Sequence, residues 1–286
     1  MNRRWFLGNS LLFVTGCAAP QVFNSGESDR ITKIRFAVTD GNTLENLKAD
    51  YDLFRVALAE ILEMEVDFLP LKNQVAAAIE LKQGQVDLLL AGPSEYVIAR
   101  SRTNAVPVVS ITRPNYYSII AVPPNSEIKI VADLRGKTIA MSDIGSTSGH
   151  VGPTQMLIAA GLDPKTDVKI QMLGDEGSIA ALQKGEVDAW AGSTSNYQEI
   201  LQGKFPTIAQ SELLPGDVFV AGSSLEPNIV EFIRSRMVEH QNKLIQAISA
   251  RKSKYRGSTF TLVQDSDYDL IRKAYQAIGQ DDFIIK

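Results

Sequence analysis

Residues 84–96 read GQVDLLLAGPSEY, and residues 185–197 repeat the pattern as GEVDAWAGSTSNY. Each copy follows a stretch with helical character, at residues 75–82 and 178–184. In each copy a glycine ends the helix, a short apolar strand follows, and a loop containing serine comes last. A repeat of this kind predicts two similar structural units within the chain.

A second pair of matching segments precedes the first. A strand at residues 34–38 leads through a polar loop into a helix that runs to Met64. A strand at residues 137–141 leads through residues 142–148 into a helix that runs to Ala160. Strands that alternate with helices are typical of α/β folds with parallel sheets. We therefore predict an α/β protein with two parallel-sheet lobes.

Two apolar segments can connect the lobes, Tyr116–Val122 and Val218–Ala221, and we interpret them as crossing strands. Lobe 1 is then residues 31–118 plus 223–286, and lobe 2 is residues 119–222. Ligands of such folds bind in the crevice at the strand ends. The alternative is two tandem domains with one linker, but the C-terminal part contains only two helices, which favours a return to lobe 1.

The composition is that of an ordinary globular protein, with 286 residues, 44% hydrophobic and 22% charged. It excludes a disordered chain, a collagen and a disulfide scaffold. The net charge of −4 argues against a partner made of nucleic acid. One cysteine and two histidines argue against a metal site, so we expect neither a metal nor a cofactor.

The N-terminus has the pattern of an export signal. Residues 1–16 carry two arginines, Arg3 and Arg4, followed by an apolar stretch too short to span a membrane. Residues 14–17, VTGC, resemble the bacterial lipobox, which predicts that Cys17 is lipidated and that residues 17–30 form a tether. The alternative is a buried cysteine behind an ordinary signal peptide. We expect an extracytoplasmic protein that is anchored to the membrane by lipid.

The segment GSTSGHVGP at residues 145–153 follows a predicted strand and begins a helix. Ser146, Thr147 and Ser148 place three hydroxyls beside the free N–H groups of a helix N-terminus, where the helix dipole also favours an anion. The alternative is an ordinary N-cap, for which serine and threonine are common. A nucleotide phosphate loop is excluded, because no Gly-Lys-Ser/Thr follows. The pattern predicts a site for an oxyanion.

A hydrolase is the enzymatic alternative for the same segment. One of the three hydroxyls would be the nucleophile and His150 the base. His150 lies on the same turn, however, without an evident acid to orient it, and the sequence has no Gly-x-Ser-x-Gly elbow. We therefore predict a binding protein and no enzymatic activity.

At this point the sequence resembles a known family. The Ser-Thr-Ser-Gly motif with Pro153, the run DLRGK at residues 133–137, the turn PGD at residues 215–217 and the two Val-Asp strands carry the likeness. They are similar to the PhnD-like substrate-binding proteins of ABC transporters, which take phosphonate, phosphite or phosphate. The likeness covers about residues 32–250. It implies a type 2 periplasmic binding protein, with two lobes joined by two strands.

The resemblance also implies roles for individual residues. Ser146, Thr147 and Ser148 match the family's ligands of phosphoryl oxygens. Tyr116 matches a tyrosine that lines the site, unless it only packs in the core. Asp217 matches a carboxylate that faces the ligand, unless it is only a turn residue. A carboxylate there could accept a hydrogen bond from a protonated ligand oxygen or pair with a ligand ammonium group, and it would repel a fully ionised ligand.

Further candidates for contact with the ligand are Gln74, Ser94, Gly149, His150 and Asp175. Relatives that take aminoethylphosphonate have a histidine near Asp175, a glutamate near Ser195 and a tyrosine near Gln74. Serine in place of that glutamate removes the partner of the ligand's ammonium group. The departure favours a smaller ligand, namely phosphite, phosphate or methylphosphonate.

Together these features predict a monomeric, lipid-anchored solute-binding protein. It would capture a small phosphorus oxyanion between its lobes, close by hinge bending, and deliver the ligand to an ABC permease and its ATPase. Two other functions stay open, a binder of another anion such as a sulfonate or carboxylate, and a lipoprotein sensor with the same fold.

Overall fold

The computed structural model describes residues 31–40, 43–72 and 74–277. The predicted signal peptide, Cys17 and the predicted tether lie outside the described residues, as does the side chain of Gln74. Within the described ranges, no helix is both long enough and apolar enough to cross a membrane.

The described residues form two sheets with surrounding helices. The strands are β1 Lys33–Val38, β2 Glu65–Phe68, β3 Leu88–Ala91, β4 Val106–Ile111, β5 Ser118–Ala121, β6 Thr138–Met141, β7 Lys169–Met172, β8 Ala189–Ser193, β9 Thr207–Gln210, β10 Asp217–Ala221 and β11 Phe260–Thr261. The α-helices are α1 Leu44–Leu62, α2 Gln74–Lys82, α3 Pro93–Arg102, α4 Gly152–Ala159, α5 Gly174–Lys184, α6 Thr194–Asn196, α7 Pro227–Glu239, α8 Gln241–Ser249 and α9 Asp269–Ala277. Two π-helical turns cover Thr147–Val151 and Tyr197–Leu201, and three 3₁₀ turns cover Val131–Leu134, Ser253–Tyr255 and Asp265–Tyr268.

Each lobe contains one sheet, and the predicted two-lobed α/β fold is confirmed. The lobe 1 sheet has the order β11-β4-β10-β3-β1-β2, and the lobe 2 sheet has the order β7-β6-β8-β5-β9. The sheets are mixed, which differs from the expected parallel sheets. β10 is antiparallel to β3 and β4, and β5 is antiparallel to β8 and β9. The chain enters both strands directly from the other lobe. It therefore lacks the crossover helix that would make these strands parallel to their neighbours.

The repeated Val-Asp pair has the same structural role in both lobes. The Asp87 carboxylate accepts the backbone N–H of Arg35 at 2.8 Å, and the Asp188 carboxylate accepts that of Thr138 at 2.8 Å. Each aspartate therefore joins the start of the repeated strand to the neighbouring parallel strand. β3 and β8 are buried along their whole length, as expected for central strands covered on both faces.

The glycines that were predicted to end the repeated helices have the backbone conformation that requires glycine. The φ angle is 66° at Gly84, just after α2, and 73° at Gly185, which caps α5. Residues with a Cβ avoid this left-handed region, so glycine is the natural helix end there.

The lobes are connected by residues 112–117, between β4 and β5, and residues 211–216, between β9 and β10. The two connections are hydrogen-bonded, since the Leu214 N–H donates to the Tyr116 carbonyl at 2.9 Å. Sequence reasoning assigned the crossing to β5 and β10 themselves. β10 instead pairs within the lobe 1 sheet, so the expected lobe 2 boundary at residue 222 moves to about residue 216. The sequence of a short apolar strand does not reveal which sheet it joins.

The C-terminal helices return to lobe 1, where α7 and α8 pack on α1. α9 packs on α3 of lobe 1 and also on α4 of lobe 2. Its buried residues Ile271, Ala274 and Tyr275 share one apolar cluster with Val97 of α3 and Val151 of lobe 2. The last described helix thus bridges both lobes, beyond the expected packing on lobe 1.

Candidate functional site

A polar cavity of about 420 Å³ opens between the two lobes and the connections that join them. Its walls come from the ends of β1, β3 and β10, from the predicted anion loop, and from the segment after α8. The lining residues used below are Asp40, Asp50, Glu95, Arg113, Tyr116, Ser146, Thr147, Ser148, Asp175, Ser195, Glu199, Asp217, Arg251, Lys252, Lys254 and Tyr255.

The predicted anion loop lines this cavity. Ser146 caps the turn that leads into α4, and its Oγ accepts the Gly149 N–H at 3.2 Å, which leaves the Ser146 hydroxyl proton to donate. The backbone N–H groups of Thr147 and Ser148 have no hydrogen-bond acceptor among the described residues. Unpaired N–H groups are normal in the first turn of a helix, and together with hydroxyls they bind anions.

Gly149 and His150 do not line the cavity but help to hold the loop in its conformation. A Cβ on Gly149 would collide with the side chain of Ser142, so glycine allows the helix start to lie against the end of β6. The His150 Nδ1 accepts the Gly145 N–H at 3.1 Å, and burial lowers the pKa of His150, which keeps the imidazole neutral. Both residues therefore hold the loop in shape, and the ring nitrogen that faces Gly145 cannot act as a base.

Ser94 connects the loop to the other lobe. The Thr147 Oγ1 accepts the Ser94 N–H at 3.1 Å and lies 2.8 Å from the Ser94 Oγ. Ser94 is fully buried at the start of α3. The lobes therefore touch beside the anion loop, and the two hydroxyls pair with each other.

Tyr116 and Arg113, on the first connection, form one stacked unit. The Arg113 guanidinium carbon lies 3.4 Å from the centre of the Tyr116 ring. Ser148 of the anion loop lies close enough to the Tyr116 hydroxyl to lower its pKa, although burial raises it overall. Among the described residues, the buried Nε of Arg113 has no hydrogen-bond partner. Sequence reasoning found Tyr116 but missed Arg113, three residues before it.

Asp217 is buried at the start of β10, and its carboxylate is fully engaged. Its Oδ1 lies 3.3 Å from Nη1 of Arg113, and its Oδ2 accepts the Tyr255 hydroxyl at 2.6 Å and lies 3.2 Å from Nζ of Lys254. Burial raises the pKa of Asp217, but Lys254 and Arg113 outweigh that effect and hold it below its usual value. Repulsion of a fully ionised ligand by Asp217 was expected, whereas the structure pairs this carboxylate with two cations.

A basic segment after α8 forms the opposite wall. Lys254 lies 3.3 Å from Asp40, and Lys252 lies 3.1 Å from Asp50. Burial lowers the pKa of Lys254, but Asp217 and Asp40 together raise it above its usual value, so the ammonium stays charged. Sequence reasoning missed this wall, and the only local signal is the basic run RKSKYR at residues 251–256.

The remaining wall lies on lobe 2. The Asp175 carboxylate accepts the Ser142 hydroxyl at 2.5 Å, and Ser195 pairs with Ser193 at 3.2 Å. Ser195 lines the cavity, and its hydroxyl carries no charge that could hold an ammonium group. Glu199, one turn further along, is exposed at the rim of the cavity.

Comparison with known proteins gives one family. Residues 36–268 match the model for ABC transporter, phosphonate, periplasmic substrate-binding proteins. The chain is 24% identical to the phosphate-import protein PhnD of Mycolicibacterium smegmatis, over 87% of this chain and 86% of that protein. It is 27% identical to the probable ABC transporter phosphite binding protein PhnD1 of Prochlorococcus marinus, over 74% of this chain and 73% of that protein.

Solved structures share the fold. PhnD1 from Prochlorococcus marinus in complex with methylphosphonate has a TM-score of 0.72 at 19% identity, covering 88% of this chain and 100% of that one. The periplasmic aliphatic sulphonate binding protein SsuA from Escherichia coli has a TM-score of 0.64 at 19% identity, covering 89% of each chain. At these identities the likeness is one of fold.

Proposed function

Since this chain belongs to the periplasmic substrate-binding proteins of ABC phosphonate transporters, we propose that its cavity captures phosphite, phosphate or methylphosphonate. Proteins of this family are extracytoplasmic binding components of importers, and they are not enzymes. In our proposal the chain acts as a monomer, tethered to the membrane through lipid on Cys17. It then delivers the oxyanion to a permease that an ATPase drives.

The observation that carries this proposal is the placement of anion donors on facing walls of one cavity. The hydroxyl of Ser146 and the N–H groups of Thr147 and Ser148 come from lobe 2. Arg113 and Lys254 come from the first connection and from lobe 1. A tetrahedral oxyanion presents oxygens in several directions, and hydrogen bonds from charged donors are about twice as strong as neutral ones. Donors on both sides would also hold the lobes together around the ligand.

A sulfonate is the second candidate, because a sulfonate group is also a tetrahedral oxyanion and a sulfonate-binding protein shares this fold. The two ligand classes differ in charge and in protonation, since a sulfonate carries one charge and has no oxygen that is protonated near neutral pH.

Calorimetric titration of the purified protein with phosphite, phosphate, methylphosphonate, aminoethylphosphonate and methanesulfonate tests the proposal. We expect the first three ligands to bind at least about tenfold more tightly than the last two, a difference of about 1.4 kcal/mol. Ser195 offers no charge to an ammonium group, and a sulfonate provides less charge to Arg113 and Lys254. Tighter binding of methanesulfonate or aminoethylphosphonate would contradict the proposed ligand class.

Ser146→Ala should weaken binding of the preferred ligand about tenfold. The substitution removes one donor to a charged group, and such a hydrogen bond contributes about 1.5–3 kcal/mol. It also removes a helix cap, so Thr43→Ala is the control, because the Thr43 side chain caps α1 by accepting the Asn46 N–H. Both variants should lose about 1 kcal/mol of stability. Only Ser146→Ala should lose affinity, and equal affinities in the two variants would place the ligand elsewhere.

Cys17→Ala should move the protein from the membrane fraction to the soluble fraction of a bacterial host. A lipid on this residue is the proposed anchor, and without it the tether has nothing that inserts into the bilayer. The readout is fractionation after a salt wash, with binding of the preferred ligand as the control for folding. A variant that stays with the membrane would show that the anchor lies elsewhere.

A further inference from the structure

Glu95 carries a carboxyl group in the cavity wall. Neither the predicted anion loop nor the proposed function uses it. It lies in the first turn of α3, and its carboxyl folds back over Gly92, where a Cβ would come within 2.5 Å of Oε2. Glycine at position 92 therefore makes room for this side-chain conformation. The residue is half-buried, but its Oε2 atom is closed to solvent and has no hydrogen-bond partner among the described residues.

The surroundings of Glu95 disfavour a negative charge. Burial is the main cause, and the carboxylates of Asp217 and Asp40 add to it, while Lys254 and the Glu95 backbone N–H act in the opposite direction. The balance raises the pKa of Glu95 to about 7. An oxyanion in the same cavity would add one or two further negative charges, which makes an ionised Glu95 still less favourable.

We propose that Glu95 binds the oxyanion as the neutral carboxylic acid and donates its carboxyl proton to a ligand oxygen, so that capture of the ligand takes up a proton from solution. This inference rests on the proposed function and names the protonation state in which that site binds. Glu95 lines the cavity, and its Oε2 has no hydrogen-bond partner among the described residues, so a turn of the side chain away from Gly92 brings that atom to a ligand oxygen. No covalent bond forms, because the proton stays on Glu95 and is shared as a hydrogen bond.

The other ionisable groups around Glu95 keep one state between about pH 6 and pH 8.5. Asp40 and Asp217 have lowered pKa values and stay ionised, and Lys254 and Arg113 have raised pKa values and stay protonated.

Tyr116 on the first connection and Tyr275 on α9 also face Glu95, and burial raises the pKa of both hydroxyls. Burial lowers the pKa of His150, on the turn packed against α3, which favours its neutral form. A change of protonation at the site in this range therefore belongs to Glu95 or to the ligand.

Glu95→Gln separates the protein's proton from the ligand's own titration. The amide has the size of the neutral acid and can donate a hydrogen bond, but it does not ionise. The dissociation constants of wild type and variant for one ligand are measured at each pH, and their ratio cancels the titration of the ligand. We expect similar affinities at about pH 6, and a wild-type to variant ratio that rises about tenfold or more by about pH 8.5.

A second measurement uses calorimetry at about pH 7 in two buffers with different heats of ionisation. Wild type should take up about half a proton more per bound ligand than Glu95→Gln does. Glu212→Gln is the matched control, because Glu212 is exposed and lies outside the cavity lining, and this variant should behave like wild type in both measurements.

The outcomes are distinct. A ratio that stays flat with pH, or equal proton uptake in wild type and Glu95→Gln, overturns this inference while leaving the oxyanion site intact. Failure of wild type to bind phosphite, phosphate or methylphosphonate overturns the proposed function itself. If Glu95→Gln does not fold, Glu95→Ala gives the second test. It should bind more weakly than wild type at about pH 6, and its affinity relative to wild type should recover as pH rises.

Discussion

Asp217→Asn should lower the free energy of unfolding by about 3 kcal/mol, although asparagine has nearly the same size. Asp217 is buried and neutralises Arg113 and Lys254, while its Oδ2 accepts the Tyr255 hydroxyl. Removing one member of a buried charge cluster leaves the others without compensation, which costs about 3–5 kcal/mol for a fully buried pair. We place the effect at the lower end because Lys254 keeps Asp40 as a partner.

Thermal denaturation measures this effect. In a domain of this size about 1 kcal/mol corresponds to about 2–4 °C, so the midpoint should fall by about 6–12 °C. The control is Asp50→Asn, because Asp50 pairs with Lys252 at a more exposed position, where an ion pair contributes about 1 kcal/mol or less. Equal midpoints for the two variants would contradict a central role for Asp217.

The difference between wild type and Asp217→Asn should depend on pH in one direction. The pKa of Asp217 is lowered in the folded protein, so its contribution is fully present above the unfolded value of about 3.9 and is lost as pH falls through the folded value. Melting midpoints should therefore differ by a constant amount from about pH 5 to pH 8. They should converge in acid, and a difference that persists or grows there would contradict this assignment.

Arg113→Met should weaken binding of the phosphorus oxyanion about 100-fold. Methionine keeps an apolar chain against the Tyr116 ring but removes the guanidinium, whose Nε has no partner among the described residues. Truncating one side of a desolvated charge pair costs about 2–5 kcal/mol, and about 2.7 kcal/mol corresponds to 100-fold in affinity. Calorimetric titration of folded protein, checked by its melting curve, is the measurement.

Arg256→Met controls for the loss of one positive charge. Arg256 is exposed and follows the basic wall, in a smaller cavity that adjoins the main one, so its removal should change affinity by less than about threefold at physiological salt. Arg113→Lys keeps the charge but loses the planar guanidinium and should fall between wild type and Arg113→Met. If Arg113→Met and Arg256→Met weaken binding equally, Arg113 contributes only to the overall electrostatic potential of the protein and makes no specific contact with the ligand.

Much of the fold follows from short-range patterns. Gly84 and Gly185 mark the helix ends, and the repeated Val-Asp pairs mark the start of the central strands. The loop at residues 145–149 is recognisable for the same reason, since a strand end, a helix start and hydroxyl groups lie next to one another in the chain. These signals depend on backbone geometry and on neighbours a few residues away.

Other parts of the site depend on distant residues. Arg113 and Lys254 both contact Asp217, and the charge of Asp217 acts on Glu95 because α3 packs on β10. The sequence does suggest Asp217 as a residue of the site. The cations beside it decide whether its charge repels the ligand or instead holds Arg113 and Lys254 in place. The same limit applies to β10, which its sequence predicts as a strand without indicating the sheet that it joins.

The sequence by itself thus determined the two-lobed α/β fold, the repeat and the loop that begins α4, because local hydrogen bonding and apolar periodicity specify them. Only the tertiary structure decided the charge balance of the cavity. Electrostatic energies depend on distance and burial in space, and Lys254 and Arg113 lie within 3.3 Å of Asp217 while they are far from one another in the chain. The protonation state of Glu95 follows from that same packing, so no pattern around residue 95 predicts it.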